Sequence, residues 1–217
     1  MRAPKTEAEL GYWESRLQGQ DRLSNDHYEF FYTNYFGLDM EFYRGKKILD
    51  IGCGPRGSLE WATGAGPRIG IDPLAVDYRR LGTSQHAMHY VACLAEDLPF
   101  PAASFDIICS FNSLDHVDAL EKAIQEIGRV TAQGGIFLLL TDVHEQPTVM
   151  EPSAFTWEIV NQFLPAFTVV DQRQVEYTVF SPEGYGDMYQ SLRRGGPYNF
   201  EDARVRDGIL SARFYKP

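Results

Sequence analysis

Closely spaced glycines follow the first strand-like run of the sequence and could form a binding turn for a small ligand. The run is ILDIGCGPRG, residues 48–57, in which Asp50 comes just before Gly52 and Gly54. Glycine has no Cβ, so the backbone can turn sharply here and a ligand can approach it closely. A helix predicted after the turn would add unpaired N–H groups. This chemistry suits a nucleotide-like cofactor.

A second acid lies at the end of the next strand-like run. Asp72 follows Asp50 by 22 residues, the separation at which a carboxylate accepts both hydroxyls of a bound ribose. The glycines of GCGPRG also have the spacing of a dinucleotide fingerprint, so the turn alone leaves a nicotinamide-dependent dehydrogenase open. Asp50 disfavours that alternative, because a dinucleotide site usually has an apolar residue at this position.

Two histidines follow later strand-like runs. His116 lies in NSLDHV after FDIICS, and His144 lies in TDVHE after GIFLLLT. The carboxyl ends of parallel strands meet at the edge of the sheet where such folds bind ligands. An imidazole with an unperturbed pKa near 6.5 can accept a hydroxyl proton at neutral pH, so both histidines are candidate bases. Alternatively, His116 holds its loop by hydrogen bonding and His144 only contacts the substrate.

Polar side chains around these histidines have ligand chemistry that suits a metal ion. The set comprises His116, Asp142, His144, Glu145 and Glu151. No two of them have the spacing of a known metal motif, so we expect no metal and interpret the set as a polar loop at a strand end.

The elements that must position these residues alternate between apolar runs and segments with helical spacing. KILDI, RIGI, MHYVAC, FDIICS and GIFLLLT predict strands, and SLEWATGA, AVDYRRLG and ALEKAIQEIGRV predict helices. In the last helix, Leu120, Ile124, Ile127 and Val130 recur at helical intervals, so one face packs on a sheet. Apolar strands separated by helices predict a doubly wound α/β fold with a parallel sheet covered on both faces.

The remaining segments divide one domain of 217 residues into four parts. Residues 1–45 predict a helical cap, because YWESRL and HYEFFYTNYF are amphipathic, and residues 46–173 form the cofactor-binding core. Residues 174–207 contain many Gly, Tyr and Pro without a clear period, which indicates a lid-like insertion. Residues 208–217 form the last strand.

Composition excludes several classes of function. The chain has 20 Lys and Arg against 30 Asp and Glu, a net charge of −10, which opposes contact with nucleic acid. No apolar run approaches the length of about 20 residues needed to span a bilayer, and the amino terminus lacks the pattern of a secretory signal. Three cysteines form no disulfide framework or metal motif. We therefore expect a cytoplasmic protein, monomeric or homodimeric, that acts on a small molecule.

Six motifs in order, DIGCGPRG, GIDPL, AEDLPFPAASFDII, NSLDHV, EIGRV and GGIFLLL, resemble class I S-adenosylmethionine-dependent methyltransferases of the broad small-molecule branch. The match covers roughly residues 46–142, with an aligned tail through the last strand. The resemblance implies S-adenosylmethionine as cofactor. It also implies a seven-stranded, mostly parallel sheet in which the last strand, GILSARFY, runs antiparallel between two others.

The resemblance also implies roles for single positions. Asp50, Gly52 and Gly54 would surround the methionyl part of the cofactor, and Asp72 would hold its ribose. Phe111 and Asn112 would face the methionyl group and the substrate. The residues expected near adenine are Pro73, Leu74, Glu96, Asp97 and Leu98.

Two positions leave alternatives open. Relatives commonly have an acid for the adenine amino group where this chain has Leu94, so Glu96, Asp97 or a backbone carbonyl must accept that hydrogen bond. Arg56 could pair with the cofactor carboxylate or could be a solvated turn residue.

The sequence therefore predicts methyl transfer to a small polar molecule such as a sugar, metabolite or natural product, with O-methylation slightly preferred. A sulfonium is an activated donor, so positioning supplies much of the rate and a base is needed only for a protonated nucleophile. The alternatives are N-methylation of a small molecule and a non-catalytic protein that only binds S-adenosylmethionine.

Overall fold

A seven-stranded sheet forms the centre of the protein in a computed structural model. The structure describes residues 4–17, 19–25, 28–144, 146–147, 151–177, 190–193, 196–202 and 207–217. The strands are β1 (Ile48–Ile51), β2 (Arg68–Ile71), β3 (His89–Val91), β4 (Phe105–Phe111), β5 (Thr131–Val143), β6 (Thr168–Glu176) and β7 (Gly208–Tyr215). Their order across the sheet is β3-β2-β1-β4-β5-β7-β6.

Strand directions confirm the expected topology. Strands β1 to β5 pair in parallel, and β7 lies antiparallel between β5 and β6. The strand order reverses between β1 and β4, since β2 and β3 lie on one side of β1 while β4 and β5 lie on the other. Ligands bind at the carboxyl ends of strands at such a switch point. The turn after β1 and the loop after β4 meet there.

Apolar side chains cover both faces of the sheet. On one face, helix α3 (Leu120–Val130) buries Ile127 and Val130 beside a 3-10 helix, Trp157–Phe163. On the other face, aromatic residues from the amino-terminal segment pack on β4 and β5, including Phe31 from the short helix α2 (Glu29–Tyr32). The doubly wound α/β prediction is confirmed.

The prediction of a helix after the glycine turn is wrong, because residues 58–61 form a turn instead. Side-chain contacts with distant parts of the chain hold this segment as a turn. The Arg68 guanidinium donates to the carbonyl oxygens of Leu59 and Glu60 at 3.1 and 3.2 Å. The Glu60 carboxylate accepts the Ala87 and Met88 N–H groups at 3.0 and 2.8 Å. The glycine turn therefore presents no helix amino terminus to a ligand.

Other predicted boundaries differ in detail. AVDYRRLG, predicted as a helix, contains a 3-10 helix at Asp77–Leu81, and β6 ends at Glu176, three residues beyond the predicted core boundary. Most of the predicted lid, including 178–189 and 203–206, lies outside the described residues. Within the part that is described, no helix is long and apolar enough to cross a membrane.

Candidate functional site

The turn after β1 takes a conformation that requires glycine. Gly52 and Gly54 have φ angles of 65° and 56°, in the left-handed region that side chains disfavour. A Cβ at Gly52 would lie 2.2 Å from the Cβ of Ser113, in the loop after β4. Ser113 also donates a 2.7 Å hydrogen bond to the carbonyl of Ile51. The turn is thus packed against the neighbouring strand end.

Asp50 is buried beneath this turn. Its Oδ2 accepts a 2.9 Å hydrogen bond from Tyr32 Oη and another from the Ser58 hydroxyl. Burial raises the pKa of Asp50 to about 7, while these two donors oppose the rise. The carboxyl therefore ties the amino-terminal segment to the turn. A role beside the methionyl group remains a proposal for this residue.

Asp72, which follows β2, contacts the glycine turn directly. Its Oδ2 accepts the Gly54 N–H at 3.2 Å, and its Oδ1 accepts the Leu74 N–H at 2.9 Å. The side chain is only 3% exposed. Burial raises its pKa to about 7, and the nearby carboxylate of Glu9 adds to the rise. The structure therefore brings together Asp72 and the glycine turn, the two motifs that the sequence analysis links to one cofactor.

Helix α1 (Pro4–Leu17) covers this half of the site. Leu10 and Trp13 are buried against Leu74, Tyr78 and Leu81. The Trp13 indole lies 3.2 Å from the position that a Cβ at Gly54 would take.

The other end of α1 reaches the loop after β4. There Lys5 Nζ donates to the carbonyl of His116 and lies 3.5 Å from Asp118. The helix therefore spans the carboxyl edge of the sheet from β2 to β4.

Arg56 links the segment after α1 to the glycine turn. Its guanidinium donates to the Ser24 carbonyl at 2.9 Å and lies over the Trp13 ring at 5.6 Å. Pairing of Arg56 with the cofactor carboxylate stays a prediction.

The residues expected near adenine divide by exposure. Leu74 and Leu98 are buried, and Pro73 and Asp97 are exposed. The Glu96 carboxylate accepts the N–H groups of Asp118 and Ala119 at 2.9 and 3.1 Å, just before α3. Because Glu96 already caps this helix, Asp97 is the better placed of the two acids to replace the acid absent at position 94.

Phe111 and Asn112 end β4 at the switch point. The Phe111 ring packs on Tyr32, with centroids 4.3 Å apart, and on Phe36, with centroids 5.7 Å apart. Asn112 has a φ of 52°, which is uncommon for a residue with a side chain and typical of functional turns. Its Oδ1 is buried and has no hydrogen-bond partner. Asn112 borders the glycine turn, because the adjacent Ser113 packs against Gly52.

Both candidate bases lie in a buried polar cluster at the ends of β4 and β5. His116 Nε2 lies 3.9 Å from Asp115 Oδ2, and His144 Nε2 lies 3.7 Å from Glu151 Oε2. The Asp115 side chain is fully buried, and neither of its oxygens has a hydrogen-bond partner. Burial raises the pKa of Asp115 to about 6, opposed by His116, and raises that of Asp142 as well. His144 is oriented by Nδ1, 2.7 Å from the carbonyl of Gln146.

Two residues of this region escaped the sequence prediction. Asp115 lay in a quoted motif, but its burial depends on contacts that the sequence does not show. Lys5 lies in the amino-terminal helix, 111 residues before His116. The only available signal for Lys5 was that the amphipathic segment YWESRL precedes the core. Glu145, a further predicted polar residue, lies outside the described residues.

Comparisons with known proteins agree with this geometry. The profile of a methyltransferase domain matches residues 49–139. A malonyl-[acyl-carrier protein] O-methyltransferase of Erwinia billingiae (strain Eb661) is 32% identical over 162 residues, which cover 69% of this chain and 63% of that protein. The chain spans less than two thirds of the length of the curated relatives it matches.

Two solved structures have a similar fold. The N-methyltransferase NodS from Bradyrhizobium japonicum WM9, in complex with S-adenosyl-L-homocysteine, superposes with a TM-score of 0.62 at 18% identity, covering 96% of this chain and 98% of that one. The [4+2]-cyclase SpnF superposes with a TM-score of 0.65 at 17% identity, covering 98% and 95%. At these identities the likeness shows the fold alone. Residues 49–139 therefore belong to the methyltransferase domain family, and the chain has the class I S-adenosylmethionine-dependent methyltransferase fold.

Proposed function

We propose that this protein transfers a methyl group from S-adenosylmethionine to a hydroxyl of a small polar molecule. The observation that supports it most is the placement of unpartnered buried polar atoms on Asn112, Asp115 and His144. They follow β4 and β5, and the loop after β4 packs on Gly52 through Ser113. Buried polar groups are normally satisfied, so these atoms call for a polar partner, which a bound ligand would supply.

The residues of the donor side fit S-adenosylmethionine. The cofactor supplies a sulfonium-bound methyl group that is already activated. Asp72 would accept the ribose hydroxyls. Because Gly52 and Gly54 have no side chains, the turn would allow the methionyl part of the cofactor to approach. At the end of β4, on the acceptor side of the boundary between the two halves of the site, the unpartnered Oδ1 of Asn112 would accept an N–H from the methionyl amino group. Because Asp72 is 3% exposed beneath α1, this helix must move before a ribose can reach it.

On the acceptor side, the protein's own groups would position the hydroxyl and receive its proton. His116 and His144 are the two candidate bases, and each has a carboxylate within 4 Å that would stabilise the protonated imidazole. Alignment of the acceptor oxygen with the methyl group would supply much of the remaining rate.

Two other functions have specific support. N-methylation is the activity in the name of NodS. SpnF, whose fold is similar, is named as a [4+2]-cyclase, which is consistent with a use of this fold other than methyl transfer. O-methylation is preferred because histidine bases serve a protonated hydroxyl, and the O-methyltransferase from Erwinia billingiae supports it.

Binding of three ligands separates these functions from a dehydrogenase. We expect S-adenosylhomocysteine and S-adenosylmethionine to raise the melting temperature of the chain, and NAD to leave it unchanged. Stabilisation by NAD alone would contradict the proposal. Transfer of radiolabelled methyl groups to a panel of sugars, phenols and amines would then identify the acceptor. Efficient methylation of RNA or of protein side chains would contradict the small-molecule assignment.

A further inference from the structure

Three side chains of the polar cluster come close enough to share one ion. A carboxylate oxygen of Asp115, an imidazole nitrogen of His116 and a carboxylate oxygen of Glu151 all lie within 4.8 Å of one another. Opposite ligands of a small divalent cation are roughly 4.2 Å apart, since each bond is about 2.1 Å long. A small contraction of the cluster would therefore complete a coordination site.

Asp115 supplies independent support for a ligand at this position. Its side chain is fully buried, its Oδ2 points toward His116 at 3.9 Å, and neither oxygen has a hydrogen-bond partner. A buried carboxylate without a partner is costly, so such groups are normally paired or bound to a metal. The Ser153 N–H donates to the Asp115 backbone carbonyl at 3.2 Å and so holds the segment that carries Glu151 in place.

We propose that Asp115, His116 and Glu151 bind a first-row divalent metal ion of the Mn²⁺ type. Two carboxylates and one imidazole form a mixed oxygen and nitrogen set, which suits Mn²⁺ better than Ca²⁺ or a thiolate-bound zinc. His144 Nε2, buried and 3.7 Å from Glu151, lies beside this set as a further donor. The sequence expectation of no metal rested on spacing, and Glu151 lies 35 residues after His116.

The proposed ion has a consequence for catalysis that rests on the proposed function. An acceptor hydroxyl bound to the ion has a lowered pKa and loses its proton to water. The oxygen then bonds to the methyl carbon as the carbon–sulfur bond breaks, leaving a neutral thioether. His116 would then be a ligand rather than the base.

Titration with Mn²⁺ tests the site on the full chain after treatment with a chelator. Electron paramagnetic resonance measures free Mn²⁺, and we expect one ion to be taken up per chain. Asp115→Asn and Glu151→Gln should each weaken binding at least about ten-fold. Asp118→Asn is the matched control, because its side chain is 85% exposed and lies outside the set. It should bind Mn²⁺ like the wild type.

Folding of each variant is checked by circular dichroism, and binding of S-adenosylhomocysteine is measured in parallel. An undiminished free-ion signal when the wild-type chain is in excess over Mn²⁺ would overturn the metal site, as would equal binding by wild type, Asp115→Asn and Glu151→Gln. Loss of S-adenosylhomocysteine binding with normal Mn²⁺ uptake would instead contradict the proposed function alone. If the wild-type chain binds an amine at Asp115, His116 and Glu151 and takes up no Mn²⁺, the cluster is a site for an amine acceptor. That result would also overturn the proposal.

Discussion

The two halves of the candidate site differ in how their buried polar groups are satisfied. In the donor half, which comprises Asp50, the glycine turn and Asp72, each carboxylate accepts hydrogen bonds from the protein. In the acceptor half, at the ends of β4 and β5, the side chains of Asn112, Asp115, Thr141, Asp142 and His144 carry buried atoms without partners.

The distribution of these unpartnered atoms is uneven across the described residues. Of eight buried side-chain atoms that lack a hydrogen-bond partner there, six belong to the acceptor half. A domain normally satisfies almost all such groups, because an unmade buried hydrogen bond is expensive. The donor half is therefore closed on itself under α1, whereas the acceptor half is incomplete without a ligand.

Substitutions in the acceptor half should affect turnover most. We expect loss of the catalytic imidazole, by His116→Ala or His144→Ala, to lower kcat by about 10²–10⁴-fold while the Kd for S-adenosylhomocysteine hardly changes. The pH dependence of kcat, measured with a working acceptor, checks the assignment. If both variants keep the wild-type kcat and its decline at acidic pH, catalysis proceeds by positioning alone.

A change in the donor half should have the opposite pattern. Asp72→Ala removes the acceptor of the ribose hydroxyls and should weaken S-adenosylhomocysteine binding by about 1.5–3 kcal/mol. Calorimetry measures the change, and Asp77→Ala on the adjacent 3-10 helix serves as a control. Unchanged affinity in Asp72→Ala would remove this residue from the site.

The donor half should also make stability depend on pH. Burial raises the pKa of Asp50 and Asp72 from 3.8 to about 7, so between these values the folded chain binds more protons than the unfolded chain. The free energy of unfolding should therefore fall as pH rises from about 4 to 7, by about 1 kcal/mol per unit for each carboxyl. It should level off above pH 7.

Asp50→Asn isolates one of these contributions. Urea unfolding across this pH range should give a shallower dependence in Asp50→Asn than in wild type. Asp118→Asn, with its exposed side chain, should match wild type. Parallel curves for Asp50→Asn and wild type would show that this carboxyl is not the source.

The smallest effect concerns the helix that joins the two halves. Lys5→Ala removes the bond to the His116 carbonyl and should lower the free energy of opening α1 by about 1 kcal/mol, increasing cofactor association about five-fold. Stopped-flow fluorescence of Trp13 reports this step. Lys122→Ala, an exposed change on α3, should leave the rate unchanged. Equal rates in all three proteins would mean that α1 does not limit entry.

Sequence patterns predicted the sheet well because each strand has its own apolar run. The position of β7 was available from the family resemblance, and α3 from its regular spacing. The prediction of a helix after the glycine turn failed for a reason that no local pattern contains. Arg68 binds carbonyl oxygens of this segment, and the Glu60 side chain binds the N–H groups of Ala87 and Met88, both through contacts across the fold.

The candidate site was predictable where its residues lie near one another in sequence. The family resemblance, together with the 22-residue separation of Asp50 and Asp72, predicted one ligand for Gly52, Gly54 and Asp72, and the structure places Asp72 in contact with Gly54. The approach of Glu151 to Asp115 could not be predicted, because the whole of α3 and β5 lies between them in the sequence. The packing of α1 on Leu74 was also unpredictable, because it depends on tertiary contacts.

A crystal structure of the chain with S-adenosylhomocysteine tests the central claim most directly. The account predicts that the ribose hydroxyls contact the Asp72 carboxylate, that Trp13 moves away from Gly54, and that the sulfur faces the acceptor half beside Asn112. Nucleoside bound elsewhere, or sulfur directed away from the ends of β4 and β5, would contradict it.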